Sequence, residues 1–154
     1  MATSLRLVRT DATDPAFVAL VRLLDADLAV RDGKEHSFYA QYNTIGDIRH
    51  AIVAFHGEQP VSIGAIKAFG DDAMEVKRMY TVEEDRGKGY AALVLRELEH
   101  WASALGVTRT VLETGKKQPE AIALYRKCGY HIIPNYGQYI GVENSICFEK
   151  ILGP

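Results

Sequence analysis

The strongest constraint in this sequence is a change of hydrophobic period. In "AMEVKRMYTV", Ala73 to Val82, apolar and polar residues alternate as they do in a half-buried strand. Beyond "EEDRGKG" the period becomes 3.6. Val94, Leu98, Trp101, Ala102 and Leu105 form one apolar stripe, and Gly106 is a natural helix stop. "RTVLET", Arg109 to Thr114, then reads as a short buried strand. A strand, a helix and a strand in one sheet demand a right-handed crossover and a parallel pair.

Around that passage the pattern is antiparallel. "SLRLVRT" alternates like an edge strand, and Asp14 followed by Pro15 is an N-cap signal for a helix carrying Val18, Val21 and Leu24 or Leu28. A second short helix is expected at "HSFYAQYN". "AIVAF" and "PVSIGAIKAF" read as strands joined at "HGEQP", and with "AMEVKRMYTV" they make a meander. "PEAIALYRKCG" is a further helix closed by Gly129, and "YHIIP" and "SICFEKIL" are terminal strands. The expected class is mixed α/β with a largely antiparallel sheet. At 154 residues, without repeat or linker, one domain over residues 1–154 is expected.

Charge and composition narrow the function. Lys and Arg total 18 against 20 Asp and Glu, and the net charge of -2 argues against a strongly basic nucleic-acid binder. No apolar run approaches bilayer-spanning length, and the N-terminus lacks the apolar core of a signal peptide, so a soluble cytoplasmic protein without a membrane partner is expected. Cys128 and Cys147 have no metal spacing and read as reduced packing residues, so no metal is expected.

The turn "RGKGYA", Arg86 to Ala91, carries the first chemical signal. The opening N–H groups of a helix lack intrahelical partners and carry the positive end of its dipole. Gly87 and Gly89 remove side chains that would keep a ligand off those groups, and Arg86 and Lys88 add charge, which suits a phosphate or pyrophosphate. The alternative is a tight strand-to-helix turn and nothing more. A Walker loop is disfavoured, because "GKGY" has neither its spacing nor its hydroxyl. A dinucleotide fingerprint is disfavoured as well, since Ala92 stands where its third glycine belongs and a meander precedes the turn.

Arg86, Gly89 and Ala91 make R-x-x-G-x-A, and Ala121, Leu124, Tyr125, Gly129 and Tyr130 make A-x-x-L-Y-x-x-x-G-Y. With "EVKRMY" ahead of them, these motifs resemble the GCN5-related N-acetyltransferase (GNAT) family, and "TGKKQPEAIALYRKCGYHIIPNYGQY" looks like a bacterial branch with mostly unassigned substrates. The resemblance implies a central sheet with one splayed parallel pair, about four flanking helices, and acetyl-CoA as cosubstrate without a metal. It implies that the backbone of Met79, Tyr80 and Thr81 bonds the pantetheine, and that the amides of Arg86, Gly87, Lys88, Gly89, Tyr90 and Ala91 hold the pyrophosphate. Gln118 stands where the family usually has Asn, keeping an amide but altering its reach.

Tyr125 occupies the family position whose phenol lies near the CoA sulfur, where it can protonate the departing thiolate. On the residues alone it could equally continue the apolar face of its helix. A free amine is needed for attack, and Glu75 matches the family's frequent base. Regular pairing would put Glu75 on the face of Thr81, with Arg78 and Tyr80 opposite. An ion pair with Lys77 is the plainer role for Glu75, and Glu113 or water are competing bases. His36, Phe38, Tyr39, Tyr42, Tyr136 and Tyr139 are candidate walls for the acceptor, a small-molecule or peptide amine. A non-catalytic acyl-CoA sensor and a phosphate-binding interaction module are the alternative classes, and a homodimer stays open.

Overall fold

The computed structural model describes residues 5–33 and 45–153, leaving aside the side chains of residues 31 and 32. Seven strands form one sheet: β1 (Leu5–Thr10), β2 (His50–His56), β3 (Gln59–Phe69), β4 (Ala73–Thr81), β5 (Arg109–Gly115), β6 (His131–Ile133) and β7 (Ser145–Ile151). Their spatial order is β1-β2-β3-β4-β5-β7-β6. Only β4 and β5 run parallel; every other neighbouring pair is antiparallel. The described residues hold three α-helices, α1 (Pro15–Asp32), α2 (Tyr90–Ala104) and α3 (Pro119–Lys127). The helix expected at "HSFYAQYN" lies outside the described residues.

Local chemistry accounts for the boundaries. Asp14 caps α1 by accepting a hydrogen bond from the Ala16 amide at 2.8 Å, with Pro15 in the first turn where no N–H is needed. Gly57 (φ 63°) and Gly70 (φ 67°) take left-handed backbone at the β2–β3 and β3–β4 turns, a region that penalises a Cβ.

The core is one main cluster with a smaller one at Tyr139 and Cys147, and the unbroken burial of β3 from Val61 to Ile66 shows that both faces of the sheet are covered. Phe17, Leu20, Val21 and Leu24 of α1 are buried. On α2 the buried face is Val94, Leu95, Leu98, Glu99 and Ala102. Each fully buried Val, Leu or Phe among these contributes about 1.5–3 kcal/mol relative to leaving it exposed. Leu105, expected on this stripe, is instead the C-cap and is 45% exposed, because the helix ends one residue before it. Glu99 enters the buried face with its charge compensated: the Tyr130 hydroxyl and Lys150 Nζ each donate to it at 2.9 Å.

Two irregularities shape the centre of the sheet. Gly64 of β3 faces two residues of β4, Arg78 and Met79, so β4 carries a bulge there. Arg78 has φ 60°, left-handed for a residue with a Cβ. The second irregularity is the parallel seam. Its register runs only through Ala73↔Arg109, Met74↔Thr110 and Glu75↔Val111, and from Val76 onward β4 and β5 diverge.

Candidate active site

Beyond the last paired residue the seam opens into two adjoining cavities. One, about 290 Å³, runs along Met79, Tyr80 and Thr81 to the glycine turn and the first residues of α2. The other, about 120 Å³, lies between Glu75 and Lys77 of β4 and Glu113, Thr114 and Gly115 of β5, with Tyr139 closing it. Met79, Gln118, Ala121 and Tyr125 line both. The chain thus brings together a β4 end, a helix N-terminus and one face of α3.

The glycine turn fits an extended anionic ligand. A single 3-10 turn at Glu83–Asp85 leads into it, and Gly87 and Gly89 have φ 81° and 83° with open space where a Cβ would stand. Gly89 is the N-cap of α2 and offers no side-chain cap, so the first N–H groups of that helix stay available. The Arg86 amide is different from its expected role: it donates to the Glu83 carbonyl at 3.3 Å. Arg86 Nε donates to the Thr81 carbonyl at 2.9 Å and its guanidinium lies 5.4 Å from the Tyr80 ring, which braces the turn against β4. Lys88 pairs with Asp85 at 3.0 Å and lines neither cavity, so its charge is partly neutralised.

Tyr125, on the last turn and a half of α3, is 7% exposed. It packs edge-on to Tyr130 at 5.9 Å and against Phe148 at 6.0 Å. Burial, reinforced by Glu113 and Cys128, pushes its phenol well above the ordinary tyrosine range. A phenol so placed stays protonated and can donate. Gln118 is the N-cap of α3 without a side-chain cap bond, and it lines both cavities.

The bulge corrects the expected facing of β4. Because two residues of β4 oppose one of β3, the alternation slips by one, and Glu75 and Lys77 share register parity with Tyr80 rather than Thr81. Thr81 sits opposite Ser62, with their hydroxyls 2.8 Å apart. Arg78 neither joins Glu75 nor faces away in a regular strand; its buried guanidinium pairs with Asp25 of α1. Among the described residues its Nε has no hydrogen-bond partner.

Glu75 is 8% exposed, accepts a hydrogen bond from the Tyr136 hydroxyl at 2.7 Å, and lies 3.9 Å from Lys77 Nζ. Glu113 accepts from the Ser145 hydroxyl at 2.6 Å. Burial, then Glu75, holds the Tyr136 phenol far above its ordinary range, and burial with both carboxylates does the same to Tyr139. Burial raises the Cys147 thiol to about 11, which suits a packing residue. Tyr136 was a candidate wall; its bond to Glu75 was not foreseeable, nor was that of Ser145 to Glu113, because these contacts join residues far apart in the chain. His36, Phe38, Tyr39 and Tyr42 lie outside the described residues. Among the described residues no group of three or more His, Cys, Asp or Glu is placed to hold a metal, and no helix is long and apolar enough to cross a membrane.

The model of the Acetyltransferase (GNAT) family matches residues 17–130. An IAA acetyltransferase from Azospirillum brasilense is 32% identical over 149 residues, spanning 95% of this chain and 97% of that protein. The uncharacterized N-acetyltransferase YedL of Escherichia coli K12 is 30% identical over 135 residues, 84% of this chain and 83% of its own. Among solved structures, a Klebsiella pneumoniae protein provisionally assigned as an acyl-CoA N-acyltransferase superposes with TM-score 0.81 at 26% identity, covering 97% of this chain and 99% of that one. The PaiA N-acetyltransferase of Thermoplasma acidophilum, solved with coenzyme A, shares the fold at TM-score 0.70 and 16% identity, over 96% of this chain and 99% of its own.

Proposed function

Because the chain belongs to the GNAT acetyltransferase family, we propose that it is an acetyl-CoA-dependent N-acetyltransferase acting on a primary amine by direct attack in a ternary complex. The observation that carries this reading is the junction of the two cavities at Tyr125: one cavity meets the helix N-terminus, the other holds the carboxylates. Acetyl-CoA supplies an acetyl group activated as a thioester. Its pyrophosphate suits the amides from Gly87 into the first turn of α2, and its pantetheine arm suits the free edge of β4 at Met79 to Thr81.

The chain's own groups divide the proton work. Glu75 takes a proton from the incoming ammonium, exposing the lone pair that attacks the acyl carbon. Tyr125 delivers a proton to the sulfur as the C–S bond breaks, and the second proton shed by the nitrogen restores the phenol. Lys77 beside Glu75 keeps the carboxylate from standing as an uncompensated buried charge. A non-catalytic sensor would need no such acid at the junction.

The test is release of free thiol from acetyl-CoA across a panel of primary amines, including amino acids, polyamines, aminoglycosides and peptide N-termini. Amine-dependent thiol release with an acetylated product by mass spectrometry is the expected result. CoA binding without transfer to any amine would favour the sensor instead.

A further inference from the structure

We propose that Tyr136 is a positioning residue for Glu75, and that the loop from Asn135 to Ser145 serves to hold the two carboxylates of the acceptor cavity in place. The inference rests on the reading of Glu75 as the base.

The loop is organised from within. Asn135 Nδ2 shares its two hydrogens among the carbonyls of Tyr139, Val142 and Ser145, each 3.1 Å away, so one side chain ties together three points of the segment. From this frame two hydroxyls reach out. Tyr136 donates to Glu75 on β4 at 2.7 Å, and Ser145 donates to Glu113 on β5 at 2.6 Å. One loop therefore fixes a carboxylate on each of the two strands that diverge. The Tyr136 ring is itself held, edge-on to Phe69 at 4.7 Å and to Tyr139 at 5.8 Å.

A hydrogen bond donated to a carboxylate favours its charged, proton-accepting form and fixes which oxygen faces the acceptor. With one oxygen of Glu75 engaged by Tyr136, the other lies on the Lys77 side. Burial keeps the Tyr136 phenol neutral, so replacing it by Phe removes a donor and no charge. The charged neighbours of Glu75 are Lys77 and Arg78 on its own strand, Lys67 paired opposite on β3, and Glu113 on β5. Among the described residues, Cys147 on β7, Tyr125 on α3 and Tyr139 on the loop are further titratable groups around it. Tyr136→Phe leaves all of these in place.

The experiment follows the side-chain carboxyl carbon of Glu75 by NMR at one fixed neutral pH, in protein labelled with [13C]glutamate and assigned by its loss in Glu75→Gln. The resonance should leave its wild-type position in Tyr136→Phe, where the hydrogen bond is lost and the ring is kept. Asn135→Ala should displace it in the same direction with Tyr136 intact, because the frame that presents the phenol is loosened. An unmoved resonance in a folded Tyr136→Phe would overturn the proposal. Amine-dependent thiol release by Glu75→Gln decides the separate question: a wild-type rate would remove the base role on which the proposal rests, whatever the spectrum shows.

Discussion

Tyr125 combines two properties that rarely coincide in one side chain: it is nearly inaccessible to bulk water, yet it borders two cavities. Its raised proton affinity suits a donor that must not ionise before the sulfur does. Tyr125→Phe keeps the ring contacts with Tyr130 and Phe148 and removes only the hydroxyl. Turnover on a confirmed amine should fall by about 10²–10⁴-fold, while CoA affinity by calorimetry stays within about twofold. Equal turnover would assign the ring to packing alone. Helix α3 was legible because it is short, patterned and bounded by Pro119 and Gly129, but Tyr125 and Gln118 were singled out only by the family motif, since on the residues alone Tyr125 could equally continue an apolar face. Tyr136 and Glu75 are 61 positions apart, and no local pattern reports a bond across that separation. Arg78 was misread for a related reason: left-handed backbone at a non-glycine residue leaves no compositional trace.

At the scale of elements, the bulge in β4 decides what faces the cavities. It is matched by a glycine. A Cβ on Gly64 would stand 2.5 Å from Met79 Sδ, 2.8 Å from Leu98 Cδ1 and 3.0 Å from Val94 Cγ1. Here α2 packs directly on the strand that faces the bulge, and no room remains for a methyl group. Gly64→Ala should therefore cost about 1–3 kcal/mol of stability by urea unfolding, the usual penalty of overpacking. An unchanged midpoint would show that Met79 and Leu98 rotate aside freely. Strand and helix identities were readable because their periods differ, and the parallel passage followed from the strand–helix–strand order. The position of β7 between β5 and β6 was not readable, since three consecutive short strands permit more than one lateral order.

For the whole molecule, ligand binding and folding stability are linked. A ligand that binds only the folded chain stabilises it by RT ln(1 + [L]/Kd), about 2.7 kcal/mol at a hundredfold excess over Kd. In a chain of this size that raises Tm by roughly 5–10 °C. Coenzyme A at such an excess should produce this rise in a thermal melt, while ATP and NAD at equal concentration should not. Equal shifts from all three would reduce the glycine turn to a general anion site. The short seam has a mechanical consequence as well. A sheet is stiff across paired strands and compliant where pairing lapses, so bending between β1–β4 and β5–β7–β6 concentrates along one line. The three pairs from Ala73 to Glu75 act as the pivot, and Thr81 lies at the far end of the lever. Glu75 sits at the pivot, where any parting of the two strands displaces a side chain least.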